Sequence, residues 1–132
     1  MDVSPDKQNL DQVFANTTYY IDFYQRQYKW DDVPVKRLLD DMFHKFSIEY
    51  TRYKDSDIDL EKLAEKYSWY YMNTYVTNVV DGKRYVVDGQ QRLTTITLIL
   101  VKLRHLASSF SSELKDWVTN KIAGQSGFKK EF

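Results

Sequence analysis

One stretch of the chain decides the fold: Tyr85-Val86-Val87-Asp88-Gly89-Gln90-Gln91-Arg92-Leu93-Thr94-Thr95. Its apolar first part is typical of a β-strand, and its last part begins a long segment whose apolar residues recur at helical spacing. Two amides, a guanidinium and two hydroxyls follow the Asp-Gly pair. The stretch therefore predicts a strand-to-helix corner, residues 88–95, that concentrates polar side chains.

Such a corner can bind phosphate, because the first backbone N–H groups of a helix lack intrahelical partners and the helix dipole is positive there. A purely structural interpretation makes Asp88 the helix cap and Gly89 the turn residue. It leaves Gln90, Gln91 and Arg92 unexplained, because large polar side chains are costly to place beside a buried helix. We therefore interpret the corner as a functional site.

A second block with similar chemistry lies near the amino terminus, at Tyr24-Gln25-Arg26. There, as at Gln90-Gln91-Arg92, an amide stands beside a guanidinium. An Arg fork binds phosphate through two parallel charge-assisted hydrogen bonds, and a Gln amide can donate to phosphate or contact a base or ribose edge. Because paired Gln-Arg units make chemical sense around one polyphosphate, we expect Arg26 and Arg92 to converge near the amino end of the helix.

Structural roles compete with binding roles at three side chains of the amino-terminal block. Arg26 can instead form a salt bridge with Asp88 or with an acidic residue at 31–32, and a pair with Asp88 would also hold the guanidinium in a binding orientation. Tyr28 and Trp30 can stack on a base, or they can pack their loop onto a hairpin. The sequence leaves these alternatives open.

Composition sets the outer bounds of function. A chain of 132 residues is long enough for one domain with a core. Its formal net charge is zero, so no overall basic field favours non-specific nucleic-acid binding. The absence of cysteine excludes disulfides and cysteine-based zinc sites, and His44 and His105 lack metal-ligand spacing. Because no signal peptide or membrane span is recognisable, we expect a cytoplasmic protein with no membrane partner.

No other motif competes with the corner. The sequence has no Gly-x-x-x-x-Gly-Lys loop, no Gly-x-Gly-x-x-Gly and no Gly-x-Ser-x-Gly. Asp55, Asp57 and Asp59 alternate like the start of a calcium loop, but the required Gly and distal Glu are missing, so we interpret this segment as a solvated linker.

Hydrophobic periodicity predicts a mixture of helices and strands along the chain. The strongest turn signal is Asp81-Gly82, which predicts a hairpin. The helix that begins at Gln90 is apolar almost all round, so we expect it to be buried. The predicted helices are Asn9–Phe14, Val33–Ile48, Leu60–Tyr67, Gln90–Leu106 and Ser111–Ile122, and the predicted strands are Thr18–Ile21, Trp69–Val80 and Lys83–Val87.

These elements predict an α/β (α+β) fold: a small mixed β-sheet with a hairpin, packed on a buried central helix with flanking helices. Residues 1–123 form the predicted domain. Residues 124–127 are typical of a loop, so we expect residues 124–132 to be a linker to a missing carboxy-terminal part. The expected core comprises Val86, Val87, Ile96, Leu100, Leu103, Leu39 and Phe43.

The corner sequence Asp88-Gly89-Gln90-Gln91-Arg92-Leu93-Thr94-Thr95 resembles the signature of the GmrSD-type domain of unknown function, which is found in modification-dependent restriction enzymes and related phage-defence proteins. The segment 21–30 resembles the family's Ile-Pro-x-Tyr-Gln-Arg-x-Tyr-x-Trp pattern, and residues 38–42 resemble its Leu-x-x-Asp-Ile region. The resemblance covers roughly residues 9–107, with both blocks in the expected order.

Two residues depart from the family pattern. Asp22 stands where the family usually has Pro, which favours a looser loop before Tyr24. Asn73 stands about where the family usually has Gly, which alters a close approach of the backbone. The resemblance therefore implies the fold more directly than the ligand.

The corner is also similar to the phosphate corner of the ParB and sulfiredoxin superfamily, in which a Gly-x-x-Arg-like motif begins a helix and holds nucleotide phosphates. The matching positions here are Gly89 and Arg92. The two resemblances imply a ParB/sulfiredoxin-like fold and NTP hydrolysis that licenses cleavage of modified phage DNA. Hydrolysis usually needs Mg²⁺ across two phosphates, so Asp88, the only carboxylate of the motif, is the candidate for positioning metal or water.

Two functions from different classes fit these residues. The first is a regulatory module of a restriction or phage-defence protein that binds an NTP with Mg²⁺, hydrolyses it, and acts on DNA through a carboxy-terminal nuclease domain or partner, as a monomer or an oligomer. The second is a non-enzymatic module that binds DNA or a modified base. Neither places nuclease chemistry in this chain. The candidate residues are Asp88 for catalysis, Tyr24, Gln25, Arg26, Gly89, Gln90, Gln91, Arg92, Thr94 and Thr95 for nucleotide or phosphate binding, and Tyr28 and Trp30 for base stacking.

Overall fold

The computed structural model describes residues 3–25, 27–122, 124–126 and 129–131. The chain divides into two compact units, the first made of Met1–Tyr28 and Tyr75–Phe132 and the second of Lys29–Thr74. The predicted mixed α/β class is confirmed. The described residues form five helices and five strands in the order α1 (Leu10–Val13), β1 (Tyr19–Tyr20), α2 (Asp32–Tyr53), α3 (Leu60–Lys66), β2 (Val76–Val80), β3 (Lys83–Asp88), α4 (Gln90–Ser109), α5 (Leu114–Ile122), β4 (Gly124–Ser126) and β5 (Lys129–Glu131).

Three strands of the first unit form a small mixed sheet with β3 in the centre. β1 runs parallel to β3, with Tyr20 opposite Tyr85, whereas β2 runs antiparallel to β3. The predicted hairpin joins β2 to β3 through Asp81 and Gly82, whose φ angles are 50° and 75°. A two-residue turn with both φ angles positive matches the twist of the strands that it joins. The turn therefore sets the register with which β3 runs to its end at Asp88.

The two long helices of the first unit, α4 and α5, pack against each other. Arg104 Nε donates to Thr119 Oγ1 over 3.0 Å, which links the helices by a hydrogen bond. Val118 of α5 is completely buried. An ion pair between Lys121 and Asp11 joins α5 to α1. Apolar burial and polar links therefore both hold α5 in the first unit.

The predicted core is confirmed at Val86, Ile96 and Leu100, which are all buried. Alternate side chains of a strand point to opposite faces, so Val86 and its neighbour along β3 have different surroundings. Val87 lies on the face of the sheet opposite Val86, and this face is partly exposed to solvent. Of the other predicted core residues, Leu39 is half-buried, and Val87, Leu103 and Phe43 are exposed, which corrects the prediction at these positions.

The central helix α4 is buried on one side and not all round, so that prediction is wrong. Ile96, Leu100 and Ala107 lie on the buried side. Leu98 and Leu106 are 53% and 42% exposed. A helix that is apolar on every side exposes apolar surface wherever its neighbours cover only one face. Within the described ranges, no helix combines the length and the apolar character needed to cross a membrane.

The predicted strand from Trp69 to Val80 is too long at its start, because β2 begins at Val76. Asn73 has a φ of 76°, a left-handed conformation that interrupts an extended strand. Asn adopts this conformation more easily than most residues. Its side-chain oxygen also accepts a hydrogen bond from the N–H of Thr74. The first half of the predicted strand is therefore irregular backbone.

Other parts of the secondary structure also differ from the predictions. α2 continues past the predicted end at Ile48 to Tyr53, and α5 begins at Leu114 rather than Ser111. Residues 124–126, predicted to be a loop, form β4, which pairs with β5 in a separate two-stranded sheet.

The second unit contains a buried carboxylate and a row of aromatic rings. Glu49 of α2 is only 3% exposed. Ser68 Oγ donates to Glu49 Oε1 over 2.6 Å, and Arg52 Nη1 lies 3.5 Å from Glu49 Oε2. The buried charge is thus both hydrogen-bonded and paired, as burial of a carboxylate requires. The aromatic pairs, with ring centroids 5.7–6.1 Å apart, are Phe46–Tyr50, Phe46–Tyr67 and Tyr53–Tyr67.

We expect Ser68→Ala to lower the free energy of unfolding by about 1.5–3 kcal/mol, because Glu49 then loses a hydrogen bond to its buried charge. Chemical denaturation measures the change. The matched control is Ser47→Ala, since Ser47 is an exposed residue of α2 and its loss should change stability by at most about 0.5 kcal/mol. Equal effects of the two substitutions would show that the bond contributes no stability.

Candidate functional site

The predicted corner is present between β3 and α4. β3 ends at Asp88, Gly89 follows with φ 83° and ψ 11°, and α4 begins at Gln90. This left-handed conformation costs a residue with a Cβ atom roughly 1–2 kcal/mol of conformational free energy. Glycine has no Cβ atom and avoids this cost, which explains why position 89 is a glycine. Gly89 is therefore the residue at the cap position of α4, not Asp88 as the structural interpretation had it.

The amino end of α4 is electrostatically positive and has one carboxylate beside it. The first turn of this 20-residue helix contains no acidic residue, and Arg92 adds a cation to the positive end of the dipole. Asp88 is exposed, and its Oδ1 accepts a hydrogen bond from the N–H of Gly89 over 2.8 Å. The corner therefore offers both a cation for phosphate and a carboxylate for a metal ion or a water molecule.

A parallel strand brings the amino-terminal block to the same edge of the sheet. β1 runs parallel to β3 with Tyr20 opposite Tyr85, so the chain after Tyr20 leaves the sheet beside the end of β3. Gln25 Nε2 donates to the Val87 carbonyl oxygen over 3.4 Å, which holds the loop there. In sheets with parallel strands, ligands bind outside the carboxyl ends of the strands. The loop of residues 22–28 and the corner thus meet where a ligand site is expected.

Two further hydrogen bonds attach the 22–28 loop to α4. Gln91 Nε2 donates to the Gln27 carbonyl oxygen over 3.1 Å, and the hydroxyls of Tyr28 and Thr95 lie 2.9 Å apart. Together with the bond from Gln25, these contacts tie the loop to the corner on both sides of position 26. The two polar blocks, distant in sequence, therefore lie together.

The direction of the Tyr28–Thr95 hydrogen bond follows from the surroundings of Thr95. Thr95 is 2% exposed, and its hydroxyl donates to the Gln91 carbonyl oxygen one turn earlier in α4 over 2.8 Å. Because a threonine hydroxyl has one proton, Thr95 Oγ1 must accept from the Tyr28 hydroxyl. Thr95 thus links the loop to the first turn of the helix.

Arg26 lies outside the described residues. Its convergence with Arg92 and its alternative pairing with Asp88 therefore stay predictions. Its neighbours Gln25 and Gln27 both contact the corner, by the hydrogen bonds given above. The backbone on each side of Arg26 is thus held near the amino end of α4.

The remaining predicted site residues divide between the two units. Gln90 and Thr94 are half-buried residues at the start of α4, in the first unit. Tyr24 belongs to the 22–28 loop and is 71% exposed. Tyr28 is 39% exposed, and its hydroxyl is engaged by Thr95. Trp30 belongs to the second unit, where it is half-buried.

Comparison with protein families identifies the family of the chain. The sequence model of the GmrSD restriction endonuclease N-terminal domain matches residues 8–131, nearly the whole chain. The chain belongs to this family. The resemblance inferred from residues 9–107 is thus confirmed, and the likeness to the ParB and sulfiredoxin superfamily stays a prediction. Comparisons with curated proteins and with solved structures gave no match.

The two positions at which the chain departs from the pattern expected of GmrSD-type domains have local backbone roles. Asp22 Oδ1 accepts from the N–H of Phe23 over 2.8 Å, and the Asp22 carbonyl oxygen accepts from the N–H of Gln25 over 3.0 Å. Hydrogen bonds thus hold a turn where proline would restrict the backbone directly. Asn73 has a left-handed conformation, which glycine adopts at no cost.

Sequence reasoning missed two properties of the GmrSD-type corner. It did not reveal that the amides of Gln25 and Gln91 also have structural roles, because Gln25 donates to the Val87 carbonyl oxygen and Gln91 to the Gln27 carbonyl oxygen. Their assignment to ligand binding stays a prediction. Sequence reasoning also passed over Phe23, which is 97% exposed and therefore contributes almost no burial to the fold. The only signal in the sequence is an apolar ring placed next to Asp22 inside an otherwise polar loop.

The hydrogen bond between Tyr28 and Thr95 should stabilise the 22–28 loop measurably. We expect Tyr28→Phe and Thr95→Val each to lower the free energy of unfolding by about 1 kcal/mol, because each removes one partner of a part-buried bond. Denaturant unfolding of the two single variants and the double variant gives the coupling free energy. A coupling of about 0.5–1.5 kcal/mol is expected, and strictly additive effects would show that the two hydroxyls do not interact.

Proposed function

We propose that this chain is a nucleotide-binding module that hydrolyses a nucleoside triphosphate and thereby regulates a modification-dependent restriction or phage-defence protein. The observation that carries the proposal is that the 22–28 loop lies against the amino end of α4, held by two long-range hydrogen bonds to α4 and one to the end of β3. A loop fixed beside a positive helix end, with a guanidinium in the first turn, is a suitable cradle for a polyphosphate.

In this proposal, the amino end of α4 and the Arg92 guanidinium bind the phosphates. Gly89 has no side chain to keep phosphate oxygens away from the backbone, and Arg92 follows in the first turn of α4. Arg26 is the second guanidinium that we assign to the phosphates, because the residues on either side of it contact the corner. Thr94 and Gln90 are further donors at the start of the helix. This set binds phosphate by charge and by directed hydrogen bonds.

In this proposal, Asp88 contributes to hydrolysis together with Mg²⁺. Mg²⁺ commonly binds through one or two protein carboxylates and the phosphates of its nucleotide, so the exposed Asp88 fits a metal ion that arrives with the NTP. The described part of the chain contains no group of three or more potential ligands that would hold a metal alone. Mg²⁺ would neutralise charge on two phosphates when bound. Asp88 Oδ2 is the oxygen that we assign to the metal or to the attacking water.

The family match supports the kind of system in which the proposed activity would act. The matching domain is the amino-terminal domain of a restriction endonuclease, which supports a role alongside a nuclease that cuts DNA. We assign cleavage to a carboxy-terminal domain or to a separate partner. Because the substrate of such a system is intracellular DNA, the cytoplasm is the expected compartment. Hydrolysis in this module would then license cleavage by the nuclease.

Calorimetric titration of this chain with each of the four NTPs, with and without Mg²⁺, tests the proposal. We expect binding of at least one NTP, and release of inorganic phosphate only when Mg²⁺ is present. A parallel titration with duplex DNA tests the non-enzymatic alternative, which DNA binding without NTP binding would favour. Failure of a full-length protein to bind any NTP would remove the proposal.

A further inference from the structure

We propose that Phe23 and Tyr24 form a stacking platform for the base of the nucleotide whose phosphates are held at the corner. This inference rests on the proposed function, and it adds the part of the ligand that Phe23 and Tyr24 recognise. The ligand class is a nucleoside 5′-triphosphate of any base. The platform would add recognition of the base, because the contacts that we assign to Arg92 and Asp88 involve only phosphate and do not distinguish a nucleotide from inorganic triphosphate.

The position of the two rings follows from the pairing of β1 with β3. Tyr20 lies opposite Tyr85 in a parallel ladder, so the residues that follow Tyr20 run in the same direction as those that lead to the corner. Gln25, which follows both aromatic residues in the sequence, donates a hydrogen bond to Val87, so the chain is still beside the end of β3 at this point. Phe23 and Tyr24 are therefore held between two points that are both fixed to β3, at the edge where α4 begins.

The exposure of the rings argues that they serve a ligand and not the fold. Phe23 is 97% exposed and Tyr24 is 71% exposed. Their ring centroids lie 5.7 Å apart with an interplanar angle of 81°, an edge-to-face pair that orients each ring. An apolar ring in water gains favourable free energy when a flat partner covers it. A nucleobase is such a partner, and the phosphate site next to the loop brings one to it.

The other aromatic residues predicted to stack on a base fit this role less well. The Tyr28 hydroxyl donates to Thr95, which holds the ring against α4, and only 39% of Tyr28 is exposed. Trp30 belongs to the second unit. Because stacking uses the face of a base and not its hydrogen-bonding edge, the platform should accept purines and pyrimidines alike. Preference among NTPs would then have to come from other contacts.

The test compares a nucleotide with a ligand that has phosphates and no base. Dissociation constants for ATP and for inorganic triphosphate, both with Mg²⁺, are measured for the wild type, Phe23→Ala and Tyr24→Ala. We expect each substitution to weaken ATP binding by roughly five- to hundredfold, the range found when one stacking partner of a base is removed. Binding of inorganic triphosphate should be unchanged, and Tyr24→Trp should restore ATP binding.

Phe110→Ala is the matched control. Phe110 is also highly exposed, at 80%, and it follows the opposite end of α4. A helix of 20 residues is about 30 Å long, so this ring is far from the corner. Its loss should leave both dissociation constants unchanged. Thermal melting of Phe23→Ala and Tyr24→Ala should match the wild type, because exposed side chains add little to stability.

The possible outcomes separate the platform from the proposed function. If the wild type binds ATP and inorganic triphosphate equally tightly, or if Phe23→Ala and Tyr24→Ala bind ATP as the wild type does, the platform is overturned and the phosphate site stands. If the wild-type full-length protein binds none of the four NTPs, the proposed function itself is overturned. Selective loss of ATP binding in both folded variants supports the platform.

Discussion

Replacing Arg92 by alanine should abolish detectable NTP binding to this domain. Arg92 lies in the first turn of α4, where the helix dipole already favours an anion. Its guanidinium would form charge-assisted hydrogen bonds with the phosphates, and loss of one partner from such a charged pair typically costs 2–5 kcal/mol. We therefore expect calorimetric titration to show an affinity about 30- to 4,000-fold lower.

Arg84→Ala provides the control for this loss of charge. Arg84 lies near the start of β3, away from the corner, and its Nη1 donates to Thr77 Oγ1 over 3.0 Å. Its removal should leave NTP affinity within about threefold of the wild type, which corresponds to less than 1 kcal/mol. Arg92→Lys should recover part of the affinity, because lysine keeps the charge and loses the bidentate fork. Normal NTP binding by folded Arg92→Ala would refute the assignment of Arg92 to the phosphates.

Local sequence signals predicted the elements that build the site. The Asp81-Gly82 pair predicted the hairpin because few residue pairs tolerate two positive φ angles, and the structure has them there. The change from strand to helical periodicity predicted the corner within one residue, and Gly89 has the left-handed conformation that a tight turn needs. These features depend on neighbours in the chain, so a local pattern can specify them.

Burial could not be predicted in the same way, because it depends on what covers each face. The apolar residues of α4 indicate that the helix can be buried, but not on which sides. Leu98 and Leu103 are as apolar as Leu100, and only Leu100 is buried. Phe43 fits the helical periodicity of α2 and is still 64% exposed. A hydrophobic pattern gives the face of an element, whereas burial needs the neighbouring elements as well.

The roles of the two glutamines show the same limit at the candidate site. Gln25 and Gln91 were predicted to contact a ligand because an amide beside an arginine suits phosphate recognition. That role stays a prediction, and the structure adds that each amide donates to a carbonyl oxygen far away in the sequence, at Val87 and Gln27. Only the parallel pairing of β1 with β3 places those carbonyl groups within reach. The residue types indicate hydrogen-bonding capacity, and the topology decides which partner uses it.

The hydrogen bonds that hold the 22–28 loop against β3 and α4 also bear on the proposed phosphate site. A loop that carries a guanidinium loses conformational freedom when it binds phosphate. The bonds of Gln25, Gln91 and Tyr28 hold the backbone of this loop before any ligand arrives. In the proposed site, part of the entropic cost of phosphate binding would then be met during folding, which would leave more of the contact free energy for affinity.

Asp88→Asn should slow hydrolysis strongly and affect NTP binding little. Asn has the same shape, and its Oδ1 can still accept from the N–H of Gly89, so the corner should keep its geometry. Removal of the carboxylate charge would eliminate the metal or water contact that we assign to Asp88 in the transition state, so we expect kcat to fall by about 10²- to 10⁴-fold. Without Mg²⁺, the dissociation constant should stay the same or decrease, because a negative charge beside the triphosphate is gone. Phosphate release and calorimetric titration measure the two effects separately.

Asp81→Asn is the matched control for this substitution. Asp81 precedes β3 as Asp88 ends it, so the two carboxylates lie at opposite ends of the same strand. Asp81 has a φ of 50°, which Asn also tolerates, and the control should therefore fold and hydrolyse NTP as the wild type does. If Asp88→Asn binds NTP with Mg²⁺ and turns it over at the wild-type rate, Asp88 positions neither metal nor water. If it loses binding and turnover together while its melting temperature is unchanged, Asp88 acts on the bound ground state, and the catalytic assignment is wrong.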